Sequence, residues 1–340
     1  TVGEPWSDPA VGQIAAASPP YAVLTGTGIL KYSIQQQVNR AGVVGGNTFY
    51  VLDIATGNVL DSRNVGNDSR GETGPLYPLL STADNCAAAN NCTQIKNALQ
   101  ADPVATGPAD SRYITKVYLR DLDGKIWRFD LNVNGSGVPV ITQMLNLYTI
   151  STGSGSKAWD HPIFSSMATV SIGNSQQYLF VGTGSDLLPS NGINVQYGLF
   201  VILDQGASGA QTALIKLAAV DGIGDEEKVS SFPAVAGDIV FFSTTSYKSL
   251  ACAKPDGNLY AFTFIGGPAY DTNNDGKLTA NQDTAKVKTT AGARATSPFI
   301  VDQHLVFGAG NRVEMLGDPQ DFNNGVGQAG VRILSWREVR

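Results

Sequence analysis

The chain reads as an all-β protein, a β-propeller, on three observations. Two short phrases recur along it at intervals of tens of residues. Glycine is abundant, 38 of 340 residues, while charged residues make up only 15%. Each recurrence opens a run of about four strand-like segments. Such a composition suits short strands joined by many turns rather than long surface helices. Four strands per unit, repeated, is the pattern of blades, each a four-stranded antiparallel sheet.

The first phrase is clearest at Val117 to Leu131, VYLRDLDGKIWRFDL. Two runs of β-branched and aromatic residues flank Asp123-Gly124, which predicts a hairpin with a two-residue turn. Weaker copies run from Gly45 to Gly57, Tyr197 to Gly206 and Asp256 to Gly267. The second phrase sets a small or acidic residue before a proline that opens a strand. It occurs at Pro9, Pro78, Pro162, Pro233 and Pro298, with spacings of 69, 84, 71 and 65 residues. These exceed the ~40 to 45 residues of a minimal blade, so loops carry insertions. About five blades are visible, and an intact ring of six or seven would place blades upstream of Thr1.

Taken in order, residues 1–71 give the opening Pro strand, a Gly-rich connection from Leu24 to Ile29, and a hairpin closed by Ala55-Thr56-Gly57-Asn58. Residues 72–150 hold the longest insertion. Within it Thr93 to Gln100 predicts a short helix, and the strong hairpin and the strands VPVITQML and LNLYTI follow. Residues 159–222 and 229–290 give four strands each. Residues 294–340 close with SPFIVD, HLVFGAG, NRVEML and VRILSWREV as a fifth unit.

Charge and apolar runs exclude some classes. A net charge of −6 leaves no basic footprint for nucleic acid. No apolar run reaches the ~18 to 20 residues that cross a bilayer. The start at Thr1 reads as a mature product or a piece of a longer polypeptide. Cys86 and Cys92, six apart with no histidine nearby, lack zinc-motif spacing and read as a local disulfide of an oxidising compartment. Cys252 is either a buried thiol or the partner of a cysteine outside this stretch.

One segment has metal-ligand spacing: Asp271 to Asp283, DTNNDGKLTANQD. A calcium loop of EF-hand type needs oxygen donors at positions 1, 3, 5, 7 and 9, and Gly at 6 for the sharp turn. Asp271, Asn273 and Asp275 fill the first three, Gly276 the sixth, Lys277 the seventh through its carbonyl, and Thr279 the ninth. Gln282 stands where a bidentate Glu is usual, with Asp283 one residue late. The competing reading is a solvated acidic turn, since Asp and Asn also favour turns; Gly276 at the demanded place favours Ca²⁺. His161 and His304, far apart and without a nucleophile phrase, read as core or surface residues. Asp121 and Asp123 read as turn residues, and Glu226-Glu227 as a solvated loop. Asn91-Cys92-Thr93 matches the glycosylation sequon, a frequent chance occurrence.

Together GEPWSDPAVG, the WRFDL hairpin, AKPDGNLYAFTF, the acidic loop just after it and a terminal RILSWRE resemble the C-terminal propeller of PilY/PilC-type proteins. These are the tip-associated adhesins of type IV pili, and the resemblance spans essentially all of 1–340, read as one propeller domain with the loop inserted at 271–283. It implies a non-enzymatic, extracellular protein at the pilus tip, acting in pilus biogenesis, extension and retraction, twitching motility and adhesion. It also implies one Ca²⁺ held by the residues named above, with Thr279 where an acidic residue is often found. Implied partners are minor pilins of the tip complex, and a host or abiotic surface receptor reached through an N-terminal region absent here. SRGETG, Ser69 to Gly74, is not an RGD segment. The alternative is a quinoprotein dehydrogenase, which shares propeller and Ca²⁺, but no adjacent cysteine pair is present to sit on a quinone. No carboxylate pair or nucleophile phrase supports a propeller hydrolase or lyase.

Overall fold

Strands follow from the runs of Val, Ile, Phe and Tyr broken by Gly, Asn and Asp. In the computed structural model every regular element among the described residues is a strand. The structure describes residues 7–28, 46, 48–65, 72–73, 99–108, 110–121, 124–150, 165–172, 176–184, 197–206, 212–217, 227–229, 231–237, 239–246, 253–264, 267–270, 277, 285–301, 304–316 and 332–333. No helix among them is long and apolar enough to cross a membrane. They fall into two compact units, one built mainly from residues 1–164 and the other mainly from 165–340.

The first unit holds two sheets. The first sheet is a meander of β1 (Ala10–Gln13), β2 (Tyr21–Thr25), β3 (Thr48–Asp53) and β4 (Val59–Asn64). The second sheet contains β5 (Glu72–Thr73), β6 (Val104–Thr106), β7 (Lys116–Arg120), β8 (Lys125–Val133) and β9 (Pro139–Thr149). There β6 to β9 form the antiparallel meander and β5 adds in parallel beside β9. One shared core joins the two sheets: Leu24, Phe49 and Val51 meet Leu119, Trp127, Phe129 and Met144. The Phe49 and Phe129 rings lie 4.3 Å apart.

The second unit stacks three sheets. β10 (Ala168–Ile172), β11 (Gln176–Gly182), β12 (Leu199–Asp204) and β13 (Thr212–Leu217) form the third sheet. The fourth sheet comprises β14 (Glu227–Lys228), β15 (Ala234–Ala236), β16 (Ile239–Ser246), β17 (Asp256–Thr263) and β18 (Lys286–Thr290). The fifth holds β19 (Phe299–Val301), β20 (His304–Ala309) and β21 (Arg312–Leu316). β22 (Arg332–Ile333) pairs with β10 of the third sheet, not with the fifth. The expected final strand of the last unit therefore extends a different sheet, and the fifth has three strands among the described residues.

The burial pattern follows from the stacking. The fourth sheet has a core on each face, so β16 and β17 are buried along nearly their whole length. Alternate faces of β17 go to alternate cores: Tyr260 and Phe262 to the third sheet, Leu259 and Ala261 to the fifth. Among the described residues the fifth sheet has one covered face. Leu305, Phe307 and Ala309 point in, while Phe299, Val301, Val313 and Met315 are exposed.

Among the described residues the five predicted segments match the five sheets except that β22 joins the third, and each copy of the Gly-turn phrase supplies the third strand of a meander (β3, β8, β12, β17). Two local expectations are corrected. VPVITQML and LNLYTI form one strand, β9, because bulges opposite β8 absorb the extra residues. The strong hairpin is wider than an Asp123-Gly124 turn: Asp121 and Lys125 close it. The Asp121 amide donates to the Lys125 carbonyl at 3.0 Å, and the Lys125 amide donates to the Asp121 carboxylate at 2.9 Å. Gly124, at φ 75°, supplies the left-handed residue such a loop needs. Asp121 also accepts from the Trp127 indole at 2.8 Å. The same device closes β8 to β9, where the Asn134 side chain accepts from the Ser136 and Val138 amides. Of the expected helix, only Leu99 and Gln100 lie among the described residues; they are not helical, and Leu99 bonds through its backbone to Gly28 and Gly46.

The Pro phrase has a physical role. Pro9, Pro233 and Pro298 each precede the first strand of a meander, β1, β15 and β19. In the second sheet this place belongs to Asp102-Pro103, before β6; Pro78 lies outside the described residues. The residue before one proline then bonds the residue before the next. The Asp8 amide donates to the Asp102 carboxylate at 2.8 Å, and the Phe232 amide donates to the Ser297 hydroxyl at 2.8 Å. Neighbouring sheets are thus tied at their first strands. Asp102→Ala and Ser297→Ala are each expected to lower stability by about 1 kcal/mol in urea unfolding, the worth of one such bond.

Candidate metal centre

The acidic loop is inserted between β17 and β18, and its stem is built by one residue. The Ala261 amide donates to the Ala285 carbonyl at 2.9 Å, and the Ala261 carbonyl accepts from the Ala269 amide at 3.2 Å. In a strand these two groups of one residue point to the same side. The chain therefore leaves and returns at a single peptide position. Below this, Phe262 pairs with Pro268, and Thr263 bonds Gly267, whose φ of 90° permits the reversal.

The two feet pack on opposite faces of the fourth sheet. Ala269 and Tyr270 join the core shared with the fifth sheet, the Tyr270 ring 6.3 Å from Phe241. Ala285 joins the core shared with the third. Both ends are thus fixed by burial and backbone bonds, so the closure entropy of the segment between them is largely met by the sheet. Asp271, Asn273, Asp275, Thr279 and Asp283 lie outside the described residues, while Lys277 is described and exposed. The donor set is carboxylate, amide, hydroxyl and carbonyl oxygen, which fits a hard cation such as Ca²⁺ and offers nothing to a soft metal.

Beside the exit foot is a buried polar cluster that local sequence does not announce. Glu227, expected as a solvated loop residue, is buried in β14. Its carboxylate accepts from the Tyr260 hydroxyl at 2.7 Å and the Thr244 hydroxyl at 2.6 Å, and pairs with the Lys286 ammonium at 2.8 Å. These partners lie 33, 17 and 59 residues away along the chain. The Asn258 amide bonds Thr244, and Thr289 bonds Asn258, extending the cluster into β18. Burial, and the adjacent Glu227 charge, push the Tyr260 phenol well above its ordinary value, so it remains a donor. The Lys286 ammonium also sits 5.3 Å over the Tyr260 ring, which stacks with Phe242 and Phe262. Next to Glu227, burial lowers Lys228 to about 8.

Other predicted candidates stay apart. His304 begins β20 opposite Val301, half-buried. His161, Cys86, Cys92, Cys252, Asp123, Glu226 and the sequon asparagine Asn91 lie outside the described residues. A buried guanidinium was not foreseen: Arg120 is fully buried, burial pushes it down to about 9, and it donates to the Asp102 carbonyl at 2.9 Å.

No family model and no curated protein matches the chain. Among solved structures, the crystal structure of the Pseudomonas aeruginosa PilY1 C-terminal domain is similar with a TM-score of 0.55 at 13% identity, over 94% of this chain and 72% of that one. The α-L-arabinofuranosidase Arb93A from Fusarium graminearum, in complex with an iminosugar inhibitor, is matched at 10% identity over 63% of this chain and 60% of that one, with a TM-score of 0.29. The second likeness is too loose to argue from. The first is a likeness of fold, and it makes the chain an all-β, propeller-type protein.

Removing one donor from Glu227 tests the cluster. Tyr260→Phe is expected to cost about 2 kcal/mol in urea unfolding, the range for a hydrogen bond to a charged group, with the β-sheet circular dichroism unchanged.

Proposed function

We propose that this chain is a non-enzymatic, calcium-binding propeller of a type IV pilus tip protein. It acts in pilus biogenesis, in the control of extension and retraction, in twitching motility and in surface adhesion. Its place is the pilus tip outside the cell, with minor pilins as neighbours. The observation that carries the reading is the D-x-N-x-D-G loop, set between two strands of a fold like that of the PilY1 C-terminal domain. The recurring phrases and the stem at Ala261 support it.

Asp271, Asn273, Asp275 and Asp283 offer side-chain oxygens, Thr279 a hydroxyl and Lys277 its carbonyl. When bound, the ion cross-links these donors and so gives the loop a defined surface for a neighbouring subunit. Binding to the ordered loop alone stabilises that state by mass action. Ala261, Ala269 and Ala285 keep the ends together, and the cores on either face keep the ends from moving apart.

Calorimetric titration of the whole chain tests the reading. One site of roughly micromolar Kd is expected, within the range of sensor-type loops. At calcium a hundredfold above Kd the chain gains about 2.7 kcal/mol over its state in EDTA. Asp271→Ala or Asp275→Ala is expected to abolish uptake while leaving the sheets folded. Stoichiometric calcium binding by such a variant would show the site to be elsewhere, and a quinone-like absorbance of the purified protein would favour the dehydrogenase.

A further inference from the structure

The outer edge of the fifth sheet differs from that of its neighbours. In the other four sheets the third strand of the meander (β3, β8, β12 and β17) is paired on both edges. Here the third strand is β21, and among the described residues it is paired only with β20. The next strand along the chain, β22, goes to the third sheet. β21 is exposed on both faces: Val313 (73%) and Met315 (60%) on the outer one, and Arg312 on the side of the core. It runs beside β20 in unbroken register, with no bulge and no proline to blunt its edge. Such an edge is a template for another strand. Its residues Arg312-Val313-Glu314 also complement themselves. When two copies run antiparallel about Val313, each Arg312 lies opposite the other copy's Glu314, and the two Val313 side chains meet at the axis. Opposite charges facing across an antiparallel pair attract, and the two-fold axis makes the contact twice.

We propose that β21 is a docking edge for a second copy of this chain, β21 against β21 about Val313, which joins two fifth sheets into one. The Arg312 to Glu314 pairs set the register, because an axis at Glu314 would place two carboxylates opposite each other. Lys288 of β18 approaches Glu314 to 3.7 Å, and a carboxylate has two oxygens with which to meet a second cation. The role predicts a sign pattern that simple structural support would not produce. Reversing either charge weakens the dimer, and reversing both restores it.

The experiment is sedimentation equilibrium of the whole chain as wild type, Arg312→Glu, Glu314→Arg and the double variant with both changes, with circular dichroism as the control for folding. The wild type is expected to be half dimeric at about 10 μM, as suits a small contact. Each single variant sets like charges opposite in both pairs and is expected to raise the dissociation constant about tenfold. The double variant is expected to return to within about threefold of wild type. If a reversed variant does not fold, Arg312→Gln or Glu314→Gln takes its place, with weaker association expected. A wild-type chain that stays monomeric at about 100 μM overturns the proposal. So do single variants that associate like the wild type, or a double variant no tighter than the single ones.

Discussion

A sheet with a core on each face has no solvent to satisfy its polar groups, and the fourth sheet is built under that constraint. Every buried donor or acceptor there needs a partner within the protein. Glu227 meets it with two hydroxyls and an ammonium. Ser231 meets it by bonding both backbone groups of Ser243. The same hydroxyl clamp recurs where Thr27 holds Thr48 and where Thr183 holds Gly198. Polar residues inside these sheets therefore tie segments together rather than weakening the core.

From this constraint the loop inherits its footing. Ala261 is small enough to sit in a core and still offer both backbone groups to the edge. Its neighbours Tyr260 and Phe262 place aromatic rings on the opposite face, while Phe241, Phe307 and Tyr270 pack on its own. Whatever the loop binds, it does so between ends already fixed. Gly257 marks a similar close approach, since a Cβ there would overlap the backbone of Ala295. The links from Asp8 to Asp102 and from Phe232 to Ser297 extend this logic to neighbouring sheets, one in each unit.

Much of the fold was legible because its signals are local. Strand runs bounded by Gly, Asn and Asp marked the five units, and Pro before a strand marked where three meanders begin. Asp102-Pro103 repeats the Asp8-Pro9 pattern more closely than the segment around Pro78 does, and it stands directly before β6. The width of the Val117–Leu131 hairpin was missed because it depends on the Asp121 side chain, which replaces a backbone acceptor. Glu227 was misread for a different reason: all three of its partners are remote in sequence. Five of the six proposed calcium ligands lie outside the described residues, so spacing and donor chemistry carry them, and the stem supplies the structural support.

The most direct test of the account is hydrogen exchange across residues 261–290, with calcium and in EDTA. The Ala261 and Ala269 amides are predicted to be protected in both conditions, because the sheet and not the ion forms the stem. Added calcium should raise protection only between them and Ala285. If the Ala261 and Ala269 amides exchange freely until calcium is added, the ion builds the stem, and a loop footed in the sheet is the wrong account.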